Sequence, residues 1–384
     1  MGPRTIGVVS VARSDYGHLR PVLAAVQGSP DLRLQLYVGG MHLSARFGHT
    51  VDAIASDGWP IAARVHMLEP GDTPAAIGVS MGRGVAGFAG VYAECGPDLL
   101  IVLGDRFEML AAAMAALPFG LPVVHVHGGE ASEGAIDNQI RHAITKLSHV
   151  HLVSAAAHAR RVEAMGEERW RIHTVGAPGL DRIRTTRLLS RDELARRFDL
   201  PATARWLLVT YHPVTLEYQQ TAAHVDALIA ALEKTDASLL VTYPNADTAG
   251  QTIIERLEEF AARCARVRLV CNLGDDVYLS VLAAADAMVG NSSSGLIEAP
   301  SFGLPAINVG RRQQGRLRGA NVIDVGDTTD EILAGLETAL ASGMRERLRG
   351  ERNPYGDGHA ADRVVRVLRE VELGPRLIVK REVA

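Results

Sequence analysis

LPVVHVHGGEASEGAIDNQI, residues 121–140, begins with an apolar run and ends on a helical pattern. Between them, residues 125–137 hold two histidines, two adjacent glycines and three carboxylates. A run such as Val123–Val126, four apolar-rich residues without alternation, suits a strand buried on both faces of a parallel sheet. After it, Ile136, Ile140, Ile144 and Leu147 recur at helical spacing, with Asp137 and Arg141 on the neighbouring polar face. The order strand, polar loop, helix is the unit from which doubly wound α/β folds are built, and such folds bind ligands at the carboxyl ends of their strands.

The same unit recurs along the chain. In the first half, strands are expected at Ile6–Val11, Leu34–Val38, Leu99–Leu103, Val123–Val126, His151–Val153 and Ile172–Val175, with helices at His18–Ala25, Phe107–Ala116 and Gly134–Leu147. The pattern restarts near Trp206, with strands at Trp206–Thr210, Ser238–Thr242, Val267–Cys271, Ala287–Val289, Ala306–Val309 and Val322–Val325. The segment from Pro178 to Pro201 is charged and weakly apolar and reads as a hinge. The expected fold class is therefore α/β: two doubly wound, Rossmann-like domains at 1–180 and 181–365, with a closing helix and a fraying tail at 366–384.

Composition narrows the function classes. The chain has 384 residues, 47% apolar and 22% charged, with a formal net charge of −4. That balance gives no reason to expect nucleic acid or an acidic membrane surface as partner. No apolar run reaches the roughly 18 residues of a membrane span, and no signal region is visible. A cytoplasmic enzyme or binding protein is the expectation. The three cysteines, Cys95, Cys264 and Cys271, lie in no metal-ligand spacing and read as isolated buried thiols of a reducing compartment.

Five polar clusters follow predicted strands: 12–17, 104–106, 125–137, 211–217 and 290–298. Because they come from both halves, they point to an active site in the interdomain cleft. GNSSSGLIEAP (290–300) reads as an anion site, in which free backbone N–H groups and the hydroxyls of Ser293 and Ser294 face a phosphate and Glu298 faces a ribose diol. A serine-rich helix cap explains that stretch equally well. In GDRFE (104–108), Arg106 suits phosphate and Asp105 suits a base or orienting group, or the two form a structural ion pair. Arg13 stands past the first strand as another phosphate ligand, and Asp15 reads as a helix cap. Pro213 biases His212 toward an extended conformation that projects its ring. In the opening stretch His127, Glu130, Glu133 and Asp137 are potential acids and bases. On a strand, His125 and His127 would point the same way. No third ligand is evident for a metal, so no metal and no cofactor are expected.

Taken in order, these stretches resemble the hydrolysing UDP-N-acetylglucosamine 2-epimerases of sialic and related nonulosonic acid biosynthesis. The likeness is carried by ARSDYGHLRP (12–21), GDRFE, HVHGGEASEGAIDNQIRHAITKLSH (125–149), YHPVTLE (211–217), TYPNAD (242–247), GNSSSGLIEAPSFGLPAINVG with RRQQGR (290–316), and NPYGDGHA (353–360). It implies a B-type glycosyltransferase-like fold, a nucleotide-sugar substrate, and a homodimer or homotetramer. By this resemblance Asp105 and Asp137 match catalytic carboxylates and His212 a catalytic histidine. Arg13, Arg106, Ser293, Ser294, Glu298 and Arg312 match nucleotide-binding positions.

The implied reaction removes the hydrogen from sugar carbon 2 as UDP leaves carbon 1. Water then adds to the resulting 2-acetamidoglucal, which releases N-acetylmannosamine. Some members carry glutamate where this chain has His127, so the base is His127 itself or Glu130. The branch with histidine there extends to enzymes acting on UDP- or GDP-linked 2,4-diacetamido-2,4,6-trideoxyhexoses, an alternative substrate class. A glycosyltransferase of the same fold is a rival reading, disfavoured by the acid/base residues at 125–137. A nucleotide-sugar binding protein without turnover is another.

Overall fold

The computed structural model describes residues 2–71, 73–131, 136–214, 219–244, 250–271 and 273–381. Among them the strands form two parallel sheets, each within its own compact unit.

The first unit holds β1 (Arg4–Ser10), β2 (Leu32–Gly39), β3 (Ile61–Val65), β4 (Leu99–Leu103), β5 (Val123–Val126), β6 (Val150–Val153) and β7 (Ile172–Thr174), in the spatial order β3-β2-β1-β4-β5-β6-β7. The order reverses between β1 and β4, which pair through Ile6↔Leu99 and Val8↔Ile101. The five residues of β4, LLIVL, are all buried. Each such aliphatic side chain contributes roughly 1.5–3 kcal/mol by leaving water. Helices Arg13–Gln27, Pro74–Cys95, Phe107–Ala116, Ile136–Leu147 and Ala156–Ala164 connect the strands.

The second unit holds β8 (Trp206–Thr210), β9 (Ser238–Thr242), β10 (Val267–Val270), β11 (Ala287–Gly290), β12 (Ala306–Val309) and β13 (Val322–Val325), in the order β10-β9-β8-β11-β12-β13. Its reversal lies between β8 and β11. There Gly290, at φ 134°, passes so close to Thr210 that a Cβ would run into the Thr210 carbonyl oxygen. Only glycine allows that approach.

The structure departs from the sequence expectations in several places. Edge strand β3 and the 22-residue helix Pro74–Cys95 were not foreseen. Five glycines (78, 82, 84, 87 and 90) lie inside that helix and lower its intrinsic propensity, while Thr73 caps its start by accepting the Ala76 N–H at 3.2 Å. The charged segment 178–201, read from sequence as a hinge, contains the change of unit at Arg182/Ile183 and holds helices not expected from sequence, one with a complete capping box between Ser190 and Glu193. The helix expected from His18 starts at Arg13, so Asp15 lies inside its first turn and makes no capping bond. Of the three cysteines expected to be buried, Cys95 and Cys264 are half-buried and Cys271 is exposed.

The chain also returns. Residues Ile183–Pro354 belong to the second unit, and Tyr355 onward belongs to the first. Asp181 accepts the Ala360 and Ala361 N–H groups at 2.8 and 2.6 Å and so caps the returning helix Ala360–Glu370. Residues 376–380, within the stretch expected to fray, are tied to the first unit by hydrogen bonds. Buried Arg171 donates to the carbonyls of Leu377, Arg376 and Val379 at 2.7–3.0 Å. Lys380 reaches Glu167 at 2.7 Å. Among the described residues, no helix is long and apolar enough to cross a membrane.

Candidate active site

In the first unit, β5 ends at Val126 and His127 turns out of the strand at φ 64°, a left-handed conformation rare for a residue with a side chain. The two histidines therefore do not share a strand face. His125 stays in the sheet, fully buried, with Nε2 2.8 Å from the Gly104 carbonyl. Burial pushes its pKa down to about 3, so it is neutral and Nε2–H donates. That bond holds the residue preceding Asp105. Gly129, also left-handed, makes room for the turn: a Cβ there would sit 2.5 Å from the His158 carbonyl oxygen.

The turn brings His127 Nδ1 to 2.6 Å from Glu130 Oε1, with both residues buried. Ser154, at the end of β6, donates to the same Glu130 oxygen at 2.8 Å and lies 2.9 Å from His158 Nδ1. Because Glu130 as a carboxylate can only accept, Nδ1 of His127 carries the proton in this pairing. In the neutral form of the ring Nε2 then carries the lone pair. That nitrogen is buried and makes no hydrogen bond among the described residues. The ring of His18 lies edge-on to it, with centroids 5.9 Å apart.

Arg141, buried on helix Ile136–Leu147, ties the cluster together. It donates to the His127 carbonyl at 2.9 Å, pairs with Asp105, and lies 4.0 Å from Glu130 Oε2. Asp137 is exposed in the first turn of the same helix. Glu133 lies outside the described residues. Arg106 caps helix Phe107–Ala116 by position. Its guanidinium approaches buried Glu108 at 3.4 Å, and Arg13 is exposed at the start of its helix.

In the second unit, His212 and Asn291 meet at the strand-order reversal. Asn291 accepts the His212 N–H at 2.7 Å and donates to the His212 carbonyl at 2.8 Å. The Asn291 carbonyl in turn accepts from Arg312 at 3.2 Å and Gln313 at 2.8 Å. Burial and then the nearby Arg312 push His212 down to about 3, so its ring is neutral. Ser293 precedes a single helical turn, Ser294–Ile297, and Glu298 closes it. So short a helix adds little dipole to the loop at its start. Tyr278 packs beside Ser294, Ser292 and Thr210, and its hydroxyl is pushed up to about 12, chiefly by burial. Glu217 and residues 245–247 lie outside the described residues.

Asn291, Ser154 and Tyr278 were not singled out in the sequence, and Arg141 was placed beside Asp137 on a helix face without a role in the site. Arg141 had a signal, one helical turn beyond Asp137, and Asn291 is the first polar residue after β11. Ser154 and Tyr278 had none. Among the described residues, no group of three His, Cys, Asp or Glu side chains could hold a metal ion.

Residues 24–369 match the family described as UDP-N-acetylglucosamine 2-epimerase. The chain belongs to this family. It is 39% identical to the UDP-N,N'-diacetylbacillosamine 2-epimerase (hydrolyzing) of Legionella pneumophila, over 98% of each chain. It is 33% identical to the UDP-N-acetylglucosamine 2-epimerase of Neisseria meningitidis, over 88% of each. Its fold matches the crystal structure of UDP-GlcNAc 2-epimerase from Neisseria meningitidis bound to UDP-GlcNAc, with a TM-score of 0.80 at 15% identity, over 96% of this chain and 100% of the other. This 2-epimerase family member is thus an enzyme acting on nucleotide sugars, with two parallel-sheet α/β domains of the B-type glycosyltransferase-like kind.

Proposed function

We propose that the protein is a hydrolysing 2-epimerase of a nucleotide-linked 2,4-diacetamido-2,4,6-trideoxyhexose, the UDP-linked sugar being the first candidate. The observation that carries the chemistry is the His127–Glu130 pair, with Nδ1 held by the carboxylate and Nε2 buried with no hydrogen bond among the described residues. In this scheme Nε2 takes the proton from sugar carbon 2. The electron pair of that C–H bond forms the C1–C2 double bond, and the C1–oxygen bond breaks as the nucleoside diphosphate leaves. Glu130 stabilises the imidazolium. Inverting carbon 2 needs a proton returned to the opposite face, a task assigned to Asp105 and Asp137, while the water oxygen adds to carbon 1. Arg13, Arg106, Ser293, Ser294 and Arg312 hold the diphosphate, Glu298 takes the ribose diol, and His212 stands by the leaving group.

The choice of sugar is supported by the higher identity to the relative named for diacetylbacillosamine than to the relative named for N-acetylglucosamine, 39% against 33%. N-Acetylglucosamine, the first expectation from sequence, is therefore the second reading. Incubation with each UDP-sugar in heavy water tests both. The diacetamido sugar should give at least tenfold higher kcat/KM, and the free 2-epimer should carry deuterium at carbon 2. Faster turnover of UDP-N-acetylglucosamine would reverse the substrate order. A product that retains its original hydrogen would remove the elimination.

A further inference from the structure

Asp15 takes no part in the scheme above. It lies in the first turn of helix Arg13–Gln27, 4% exposed. Its Oδ1 is 3.4 Å from the Ser14 hydroxyl, and its Oδ2 is buried with no hydrogen bond among the described residues. The charged groups that face it are Arg106, Glu108 and Asp105, all from the segment that follows β4, next to β1 in the sheet. Arg106 is also bounded by Met41 Sδ at 2.9 Å and by His42. His42 is neutral, pushed down to about 4 by burial and then by Arg106.

The charges decide what this cluster can accept. Glu108 is fully buried against Arg106 and neutralises it. A second buried carboxylate beside the same guanidinium leaves an excess negative charge where an anion is to bind. Burial pushes Asp15 up to about 7; Arg106 works against that shift, and Glu108 and Asp105 add to it. Asp15 therefore changes charge close to neutral pH.

We propose that Asp15 is a positioning residue that acts through Arg106: its protonated form leaves the guanidinium free to take the nucleoside diphosphate, and its ionised form repels it. The proposal rests on the reading of Arg106 as a nucleotide contact. Binding then draws one proton from solvent onto Asp15, and product release returns it. By linkage, affinity falls as pH rises through the titration of free Asp15.

UDP-glucose is a suitable probe, because its diphosphate diester does not titrate near neutrality. Calorimetric affinity of the wild type should fall about tenfold between pH 6 and pH 8. Asp15→Asn imitates the protonated carboxyl, and at pH 8 it should bind about tenfold more tightly than wild type, with a nearly flat profile. An Asn variant that keeps the wild-type slope overturns the proposal, as does one that binds tenfold more weakly throughout. If that variant does not fold, as judged by circular dichroism, the wild type decides alone. Titrations at pH 7.5 in buffers of different ionisation enthalpy should show proton uptake, and no uptake overturns the proposal. Arg106→Ala tests the underlying reading. Unchanged affinity at pH 6 removes Arg106 from the nucleotide site and the proposal with it. Weakened binding there, together with an unaltered slope in Asp15→Asn, removes the role of Asp15 alone.

Discussion

Nδ1 of His127 and Oε1 of Glu130 are 2.6 Å apart, and the backbone that holds them together is left-handed at His127. A carboxylate on one nitrogen fixes the tautomer that leaves the other nitrogen basic. His127→Ala should lose turnover by about 10²–10⁴-fold, with UDP affinity by calorimetry within about twofold of wild type. Glu130→Gln should lose less, because glutamine still accepts from Nδ1–H but does not stabilise the imidazolium. Full activity in His127→Ala would move the base elsewhere.

Arg141 joins Asp105 to the His127 carbonyl from a single buried side chain. Removing it leaves Asp105 and the His127 turn without their shared donor. Arg141→Ala should lower stability by about 3 kcal/mol in urea unfolding and reduce kcat more than it raises KM. A change confined to KM would place Arg141 in substrate binding instead.

Asn291 holds His212 from both sides through one amide. Asn291→Ala orphans a buried N–H and carbonyl and should cost about 2–3 kcal/mol. If His212 and Arg312 act on the nucleotide, UDP affinity should also fall about tenfold. Unchanged affinity in a folded variant would separate the two clusters of function.

Glu167 anchors the segment around Lys380. Burial alone would raise its pKa, but hydrogen bonds from His151, Lys146 and Lys380 outweigh burial and bring it down to about 2. The folded value lies below the unfolded one. The stabilisation is therefore fully present above about pH 4.5 and is lost as pH falls toward 2. Glu167→Gln should be about 3 kcal/mol less stable than wild type at pH 7, and the gap should narrow at pH 3. A gap that stays constant with pH would assign the loss to packing.

Most of the strands were legible because their signal is local. Runs such as LLIVL and WLLVT are buried on both faces and need no partner to be recognised. β3 was missed because only an edge strand tolerates IAARV, with two of its five residues exposed and one buried. The helix Pro74–Cys95 was missed because its glycines argue against a helix that tertiary packing nonetheless forms. The candidate site was legible as loops after strands, since the carboxyl-end rule needs only the strand positions. The roles within it were not. That His127 leaves the strand depends on Gly129 and His158, and that Asp15 is buried depends on β4 lying next to β1. Both are facts of sheet order, invisible along the chain.

The return of the chain to its first unit has a consequence during synthesis. The returning helix Ala360–Glu370 and the carbonyls that receive Arg171 leave the ribosome only after the whole stretch from Ile183 to Pro354. At about 5–20 residues per second, the segment from Ile183 to Pro354 takes roughly 10–35 s to emerge. During that interval the nascent first sheet lacks its closing helix, and its Arg171 has none of the tail carbonyls to bind. A polypeptide stopped after the second unit would carry every acid and base named above on a scaffold that was never closed.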